Sequence, residues 1–169
     1  SSDSTIIRAM PNTPSAVGKG ITALIGNSAA KNEHILISKI LLEKISEVVE
    51  LEHEDQMDIV TGLSGSGPAY VFYLIESLTN AGTELGLSKE KALHLAKATV
   101  AGSGALAKSS TENPSEHREN FTTPNVTTQA VLEILMDKKW EKLQLEQCGF
   151  LKNILLYLIS GNFGEIQLI

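Results

Sequence analysis

The chain has 169 residues, 42% of them hydrophobic and 20% charged, with 14 Lys and Arg against 20 Asp and Glu and a formal net charge of −6. That balance suits one domain or slightly more with its own core, and it argues against nucleic acid or an anionic membrane as the main partner. Cys148 is the single cysteine, which excludes an internal disulfide and a cysteine-rich metal site and points to a reducing compartment, the cytoplasm (or the mitochondrion in a eukaryote). The chain opens polar at Ser1-Ser2-Asp3, with no signal-peptide pattern and no initiator methionine, and reads as a piece of something longer.

Residues 6–9 and 20–25 read as short strands, with the Pro11-Asn12-Thr13-Pro14 turn between them. Residues 31–45 read as a helix, because Ile37, Ile40, Leu41, Ile45 and Val48 recur at helical spacing. A third strand is expected over residues 48–51. From Gly67 onward the pattern is helical, with Val71, Leu74, Ile75, Leu78 and Leu85 on one face and Gly86 as its C-terminal cap. Ser88 is placed to cap the next helix, which carries Ala92, Leu95, Ala96, Thr99 and Val100. That helix then runs into Ala101-Gly102-Ser103-Gly104-Ala105. Glycine inside a helix costs about 1 kcal/mol against alanine, so the pair Gly102 and Gly104 points to a second helix packed close by, or to a kink.

Asn113-Pro114 interrupts the pattern, and a short mixed-charge segment, residues 115–120, follows. Thr122-Thr123-Pro124-Asn125 reads as a turn into a last clear helix faced by Val131, Leu132 and Leu135. Beyond Asp137 the amphipathic patterning is lost. The run at residues 153–159 is apolar on all sides and too short to cross a bilayer. A change of reading frame is the expectation that this loss motivates. Resequencing of the coding DNA that revealed no alternative frame with an amphipathic ending would sink it.

The stretch Thr61-Gly62-Leu63-Ser64-Gly65-Ser66-Gly67-Pro68-Ala69-Tyr70 carries the most information. Three glycines and a proline at the head of a helical pattern read as a tight helix start, whose free N–H groups can hold a carboxylate or phosphate. Close packing without a ligand accounts for the same residues. It is not a dinucleotide fingerprint, because Gly65-Ser66-Gly67 is followed by Pro68-Ala69-Tyr70 and the third glycine of G-x-G-x-x-G is missing. Nor is it a nucleophile elbow, since Gly62-Leu63-Ser64-Gly65-Ser66 ends in serine. His34, His53, His94 and His117 lack metal-ligand spacing, so no metal site is expected.

Together with Arg8-Ala9-Met10-Pro11-Asn12-Thr13-Pro14, this stretch closely resembles pyrroline-5-carboxylate reductase, which reduces 1-pyrroline-5-carboxylate to L-proline with NADPH or NADH. The resemblance runs from about Ile6 to about Met136. It implies a mainly α fold, a helical dimerisation domain preceded by the last βαβ-like piece of a Rossmann-type domain. It divides the chain at 1–50 (trailing part of the NAD(P)-binding domain), 51–137 (helical substrate-binding and dimerisation domain) and 138–169 (divergent tail). The main cofactor-binding domain of the family lies upstream of Arg8–Pro14 and is expected to be lacking here.

The resemblance also implies roles. Thr127 and Thr128, in a turn that binds the substrate carboxylate in the family, are the substrate-binding pair, and the Thr128 hydroxyl is the catalytic candidate as hydrogen-bond partner of the imine nitrogen. Valine stands at position 126, where the family has glycine. Ser66 corresponds to a position beside substrate and nicotinamide, and Glu54 to an acidic residue near the product. Asn120 and Asn12 correspond to cofactor-contacting positions. On the residues alone, Thr127, Thr128 and Ser66 read equally as helix caps, Glu54 as a solvated carboxylate and Asn120 as a turn residue. The expected partners are 1-pyrroline-5-carboxylate or L-proline and a second copy of the chain, in a homodimer or higher oligomer, with no nucleic acid or membrane. The second reading is a non-catalytic remnant that dimerises.

Overall fold

The computed structural model describes residues 4–120 and, further on, residues 132, 133, 136, 137, 140, 142–146 and 149. The Thr122–Asn125 turn, Thr127, Thr128 and residues 150–169 lie outside the described residues. The chain divides into two compact units, Ser1–Pro68 with Gln144–Ile169, and Ala69–Leu143.

The first unit is built on a three-stranded sheet in the order β1-β2-β3. Strand β1 (Ile7–Pro11) pairs antiparallel with β2 (Gly20–Gly26), Ala9 opposite Leu24. Strand β3 (Ser46–Glu50) pairs parallel with β2, Leu24 opposite Glu50. Helix α1 (Asn32–Leu42) makes the crossover that a parallel pair requires, so β2, α1 and β3 form the βαβ piece expected from the sequence. The β1–β2 connection is a 3-10 turn over Thr13–Val17 rather than an open loop, with Pro14 in its first turn.

Thr22, Ala23 and Leu24 are buried in succession. Consecutive side chains on a strand point to opposite faces, so β2 is covered on both and forms the centre of this unit. Leu24 and Met57 are fully buried, each worth about 1.5–3 kcal/mol. The sheet carries one polar pair in its interior: the Thr22 and Ser46 hydroxyls meet at 2.6 Å, and Ser46 Oγ also donates to Leu42 O at 3.2 Å. That chain of bonds ties the end of α1 to both strands.

The second unit is helical. It holds α3 (Gly67–Glu84) from Ala69 onward and α4 (Lys89–Ser109). Gly86 sits between them at φ +105°, a conformation that L side chains adopt only under strain. Ser88 caps α4 by accepting from Lys91 N at 3.3 Å. The two helices approach closely where Gly82 faces Ala92, and Thr79, Ala92 and Ala96 are buried.

Two stretches gain detail here. The mixed-charge segment at residues 115–120 lies in helix α5 (Pro114–Asn120), with Glu116 Oε2 accepting from Asn113 N at 2.8 Å. The helix α4 runs unbroken through Gly102 and Gly104, and a Cβ added at either would meet nothing within 4 Å. The close helix packing expected there is therefore not made among the described residues.

Candidate functional site

The glycine-rich stretch is helical throughout. Helix α2 (Gln56–Val60) passes into a single π turn over Thr61–Gly65, and α3 begins at Gly67. Val60, Thr61 and Ser66 all have right-handed helical backbone. The Ser66 N–H donates to Thr61 O, five residues back, at 2.8 Å. The sequence reading of a helix start with free N–H groups is thus corrected: a preceding helical turn supplies the carbonyl that Ser66 needs. Capping by Ser66 is corrected on the same ground, since an N-cap residue is extended and Ser66 is not. Single π turns of this kind are frequent at functional sites.

The hydroxyls of the turn differ in what they do. Thr61 Oγ1 donates to Met57 O at 2.8 Å and Ser64 Oγ to Val60 O at 3.2 Å, so both are held within the helix. The half-buried Ser66 hydroxyl meets no partner among the described residues. Of the three, it is the one available to a ligand.

Strand β1 brings two further sequence candidates to this unit. Arg8, its second residue, forms an ion pair with Glu54 just ahead of α2. Both side chains are largely exposed, at 48% and 61%, so water screens the pair heavily. The sequence reading did not provide Glu54 with this partner. Asn12, just past the end of β1, is half-buried; its Oδ1 accepts from Ile21 N at 3.0 Å and its Nδ2 donates to Ser64 O at 3.2 Å. Asn120 is the exposed last residue of α5 in the second unit. Thr127 and Thr128 lie outside the described residues.

Neither Arg8 nor the Asn12 bridge follows from local patterning. Arg8 was legible only as the first residue of a motif, and nothing near it in sequence names Glu54. Among the described residues no three His, Cys, Asp or Glu side chains come together as a metal site, and no helix is long and apolar enough to cross a membrane.

A dinucleotide needs a glycine-rich strand-to-helix turn open to its pyrophosphate. The strand-to-helix turn here, from β2 to α1, is closed. A Cβ on Gly26 would lie 2.6 Å from Ala30 Cβ and 2.9 Å from Ile35 Cδ1, so side chains pack directly against this glycine. At the head of α1 the Lys31 N–H is taken by His34 Nδ1 at 3.0 Å. The described residues do not cradle a dinucleotide by themselves.

The second unit leaves an apolar groove of about 640 Å³ along α3 and α4, lined in part by Phe72, Ile75, Leu93 and Val100, with Lys89 and Lys97 also on its wall. Val71, Phe72, Tyr73, Leu78, Leu95 and Leu106 are all exposed in the isolated chain.

A βαβ piece in one unit and long helices with open apolar faces in the other define a two-unit protein, part α/β and part helical. The family model for pyrroline-5-carboxylate reductase dimerisation matches residues 54–147, and the chain belongs to that family. It is 42% identical over 133 residues to a pyrroline-5-carboxylate reductase of Synechocystis, covering 79% of this chain and 49% of that protein. A Coxiella burnetii pyrroline-5-carboxylate reductase superposes with a TM-score of 0.86 at 33% identity, over 89% of this chain and 56% of the other. The Plasmodium falciparum pyrroline carboxylate reductase, solved with NADP bound, gives 0.81 at 29% identity, over 89% and 57%. The chain spans about half the length of the curated relatives it matches.

Proposed function

We propose that this chain is the substrate-binding and dimerisation part of a pyrroline-5-carboxylate reductase, the oxidoreductase that transfers hydride from NADPH or NADH to 1-pyrroline-5-carboxylate and yields L-proline. The observation that carries this reading is the family match over residues 54–147, which takes in α2, the π turn and both long helices. Ser66, with its hydroxyl unengaged among the described residues, and Glu54 contribute to the substrate site. Thr127 and Thr128 hold the carboxylate, and the Thr128 hydroxyl meets the imine nitrogen. Asn120 faces the cofactor. The reaction needs a dinucleotide site that the closed Gly26 turn does not provide, so full activity requires a cofactor-binding domain in addition to the described residues.

The apolar groove and the exposed apolar residues of α3 and α4 support association of two copies through these helices. A second reading, a non-catalytic remnant that only dimerises, is favoured by one observation, the closed β2-to-α1 turn. Reduction of 1-pyrroline-5-carboxylate by the purified chain separates the two. It is followed with NADPH and with NADH, alone and after adding a separately expressed cofactor-binding domain of the family. Turnover that appears only with the added domain is the expected result. A folded dimer that stays inactive under both conditions and binds no L-proline establishes the remnant.

A further inference from the structure

Pro68 creates a vacancy in the helix. In an α-helix the N–H of residue 68 would bond the carbonyl of Ser64, four residues back, but proline has no N–H and its ring crowds that carbonyl. The π turn over Thr61–Gly65 opens the ladder at this point, and Ser66 N reaches Thr61 O instead. The freed Ser64 oxygen is taken by Asn12 Nδ2 at 3.2 Å, from a residue 52 positions away. The other end of the same amide accepts from Ile21 N at 3.0 Å. Both partners are backbone groups of fixed polarity, so the amide has one orientation: an N–H meets only Oδ1, and a carbonyl meets only Nδ2.

We infer that Asn12 is a positioning residue for Ser66: its side chain supplies the donor that Pro68 lacks and pins the π turn to the β1–β2 connection. This rests on the reading of Ser66 as a substrate-facing hydroxyl. The turn carries Ser66 two residues beyond the pinned carbonyl, so releasing Ser64 releases the register of Ser66. A side chain held through a loosened turn loses the fixed geometry on which ligand selection depends.

The variant Asn12→Asp separates the two ends of the amide. It keeps an acceptor for Ile21 N, removes the donor to Ser64 and sets a carboxylate against a carbonyl oxygen. In the full chain, amide exchange at Ser66 is expected to rise about tenfold, for the loss of one half-buried hydrogen bond, with exchange in α4 unchanged. L-Proline affinity is expected to fall by about the same factor, and so is that of Ser66→Ala. Adding Pro68→Ala to Asn12→Asp gives the Ser64 oxygen a donor from its own helix and restores both readings, which a general loss of stability would not allow.

If Ser66→Ala weakens proline binding while Asn12→Asp leaves it within about twofold, Asn12 does not position Ser66 and the inference is overturned. If Asn12→Asp loosens the Ser66 amide but Ser66→Ala leaves binding unchanged, the fault lies with the substrate-site reading, and Asn12 is a structural clamp only. Should Asn12→Asp lose its fold, read from α4 exchange, the double variant must regain it; failure to do so also overturns the inference.

Discussion

At the scale of single residues, the interior of the first unit depends on one polar chain in an apolar setting. Thr22 and Ser46 satisfy each other, and Ser46 reaches Leu42 O as well. The two hydroxyls are therefore unequal. Ser46→Ala strands the buried Thr22 hydroxyl and should cost about 1–3 kcal/mol, whereas Thr22→Val leaves Ser46 its bond to Leu42 and should cost about 1 kcal/mol. Urea denaturation of both variants reads the order; equal losses would mean that the pair shares its bonds evenly. Arg8 and Glu54 make the opposite case. Their pair is exposed, so Arg8→Gln should change stability by less than about 1 kcal/mol. A fall in L-proline affinity in a variant of unchanged stability would then trace to the lost guanidinium and its hold on Glu54, not to unfolding.

At the scale of elements, the clearest boundary lies between α3 and α4. Gly86 at φ +105° and the Ser88 cap divide the work. One reverses the chain and the other starts the next helix. Gly86→Ala should cost about 1 kcal/mol or more because the left-handed backbone becomes strained. Ser88→Ala should cost about 0.5–2 kcal/mol through the lost cap. Calorimetry on each variant checks the values, and an unchanged melting temperature for Gly86→Ala would show that the turn rearranges freely.

Both features were legible in the sequence, since a glycine after a periodic apolar run and a serine before the next carry their signal locally. The sequence of α5 was also legible in principle. Asn113-Pro114-Ser115-Glu116 places proline in the first turn and glutamate where it can reach back to the Asn113 N–H. Reading Asn113-Pro114 only as a break missed it. The π turn was not legible, because glycine and proline together match a helix start as well as they match a helix that bends around a missing donor.

At the scale of the whole molecule, each unit has its own core, and the second is incomplete. Among its described residues the buried apolar side chains are the small Ala92 and Ala96, and Phe72 and Tyr73 are 63% and 71% exposed. An apolar face of that extent marks an association surface. Phe72→Glu places a charge in the middle of it. The variant should sediment as a monomer at concentrations where the parent chain is a dimer, with its helical circular dichroism retained. Unchanged sedimentation would remove α3 from the interface. Gly102 and Gly104 fit the same account: a small-residue stretch that meets nothing among the described residues leaves room for the close approach of another helix.

What the sequence determined by itself was whatever a few neighbouring residues can encode. The strands at β1 and β2, the crossover helix, the two long helices, their glycine and serine boundaries and the family resemblance all rest on chemistry within a turn or two of chain. Only the tertiary structure decided which distant groups meet. Arg8 finds Glu54 across 46 positions and Asn12 finds Ser64 across 52, and neither pair leaves a mark in any local window. A backbone carbonyl freed by Pro68 must be satisfied when half-buried. The sequence states that obligation, but which side chain meets it is settled only when folding brings the end of β1 against the turn.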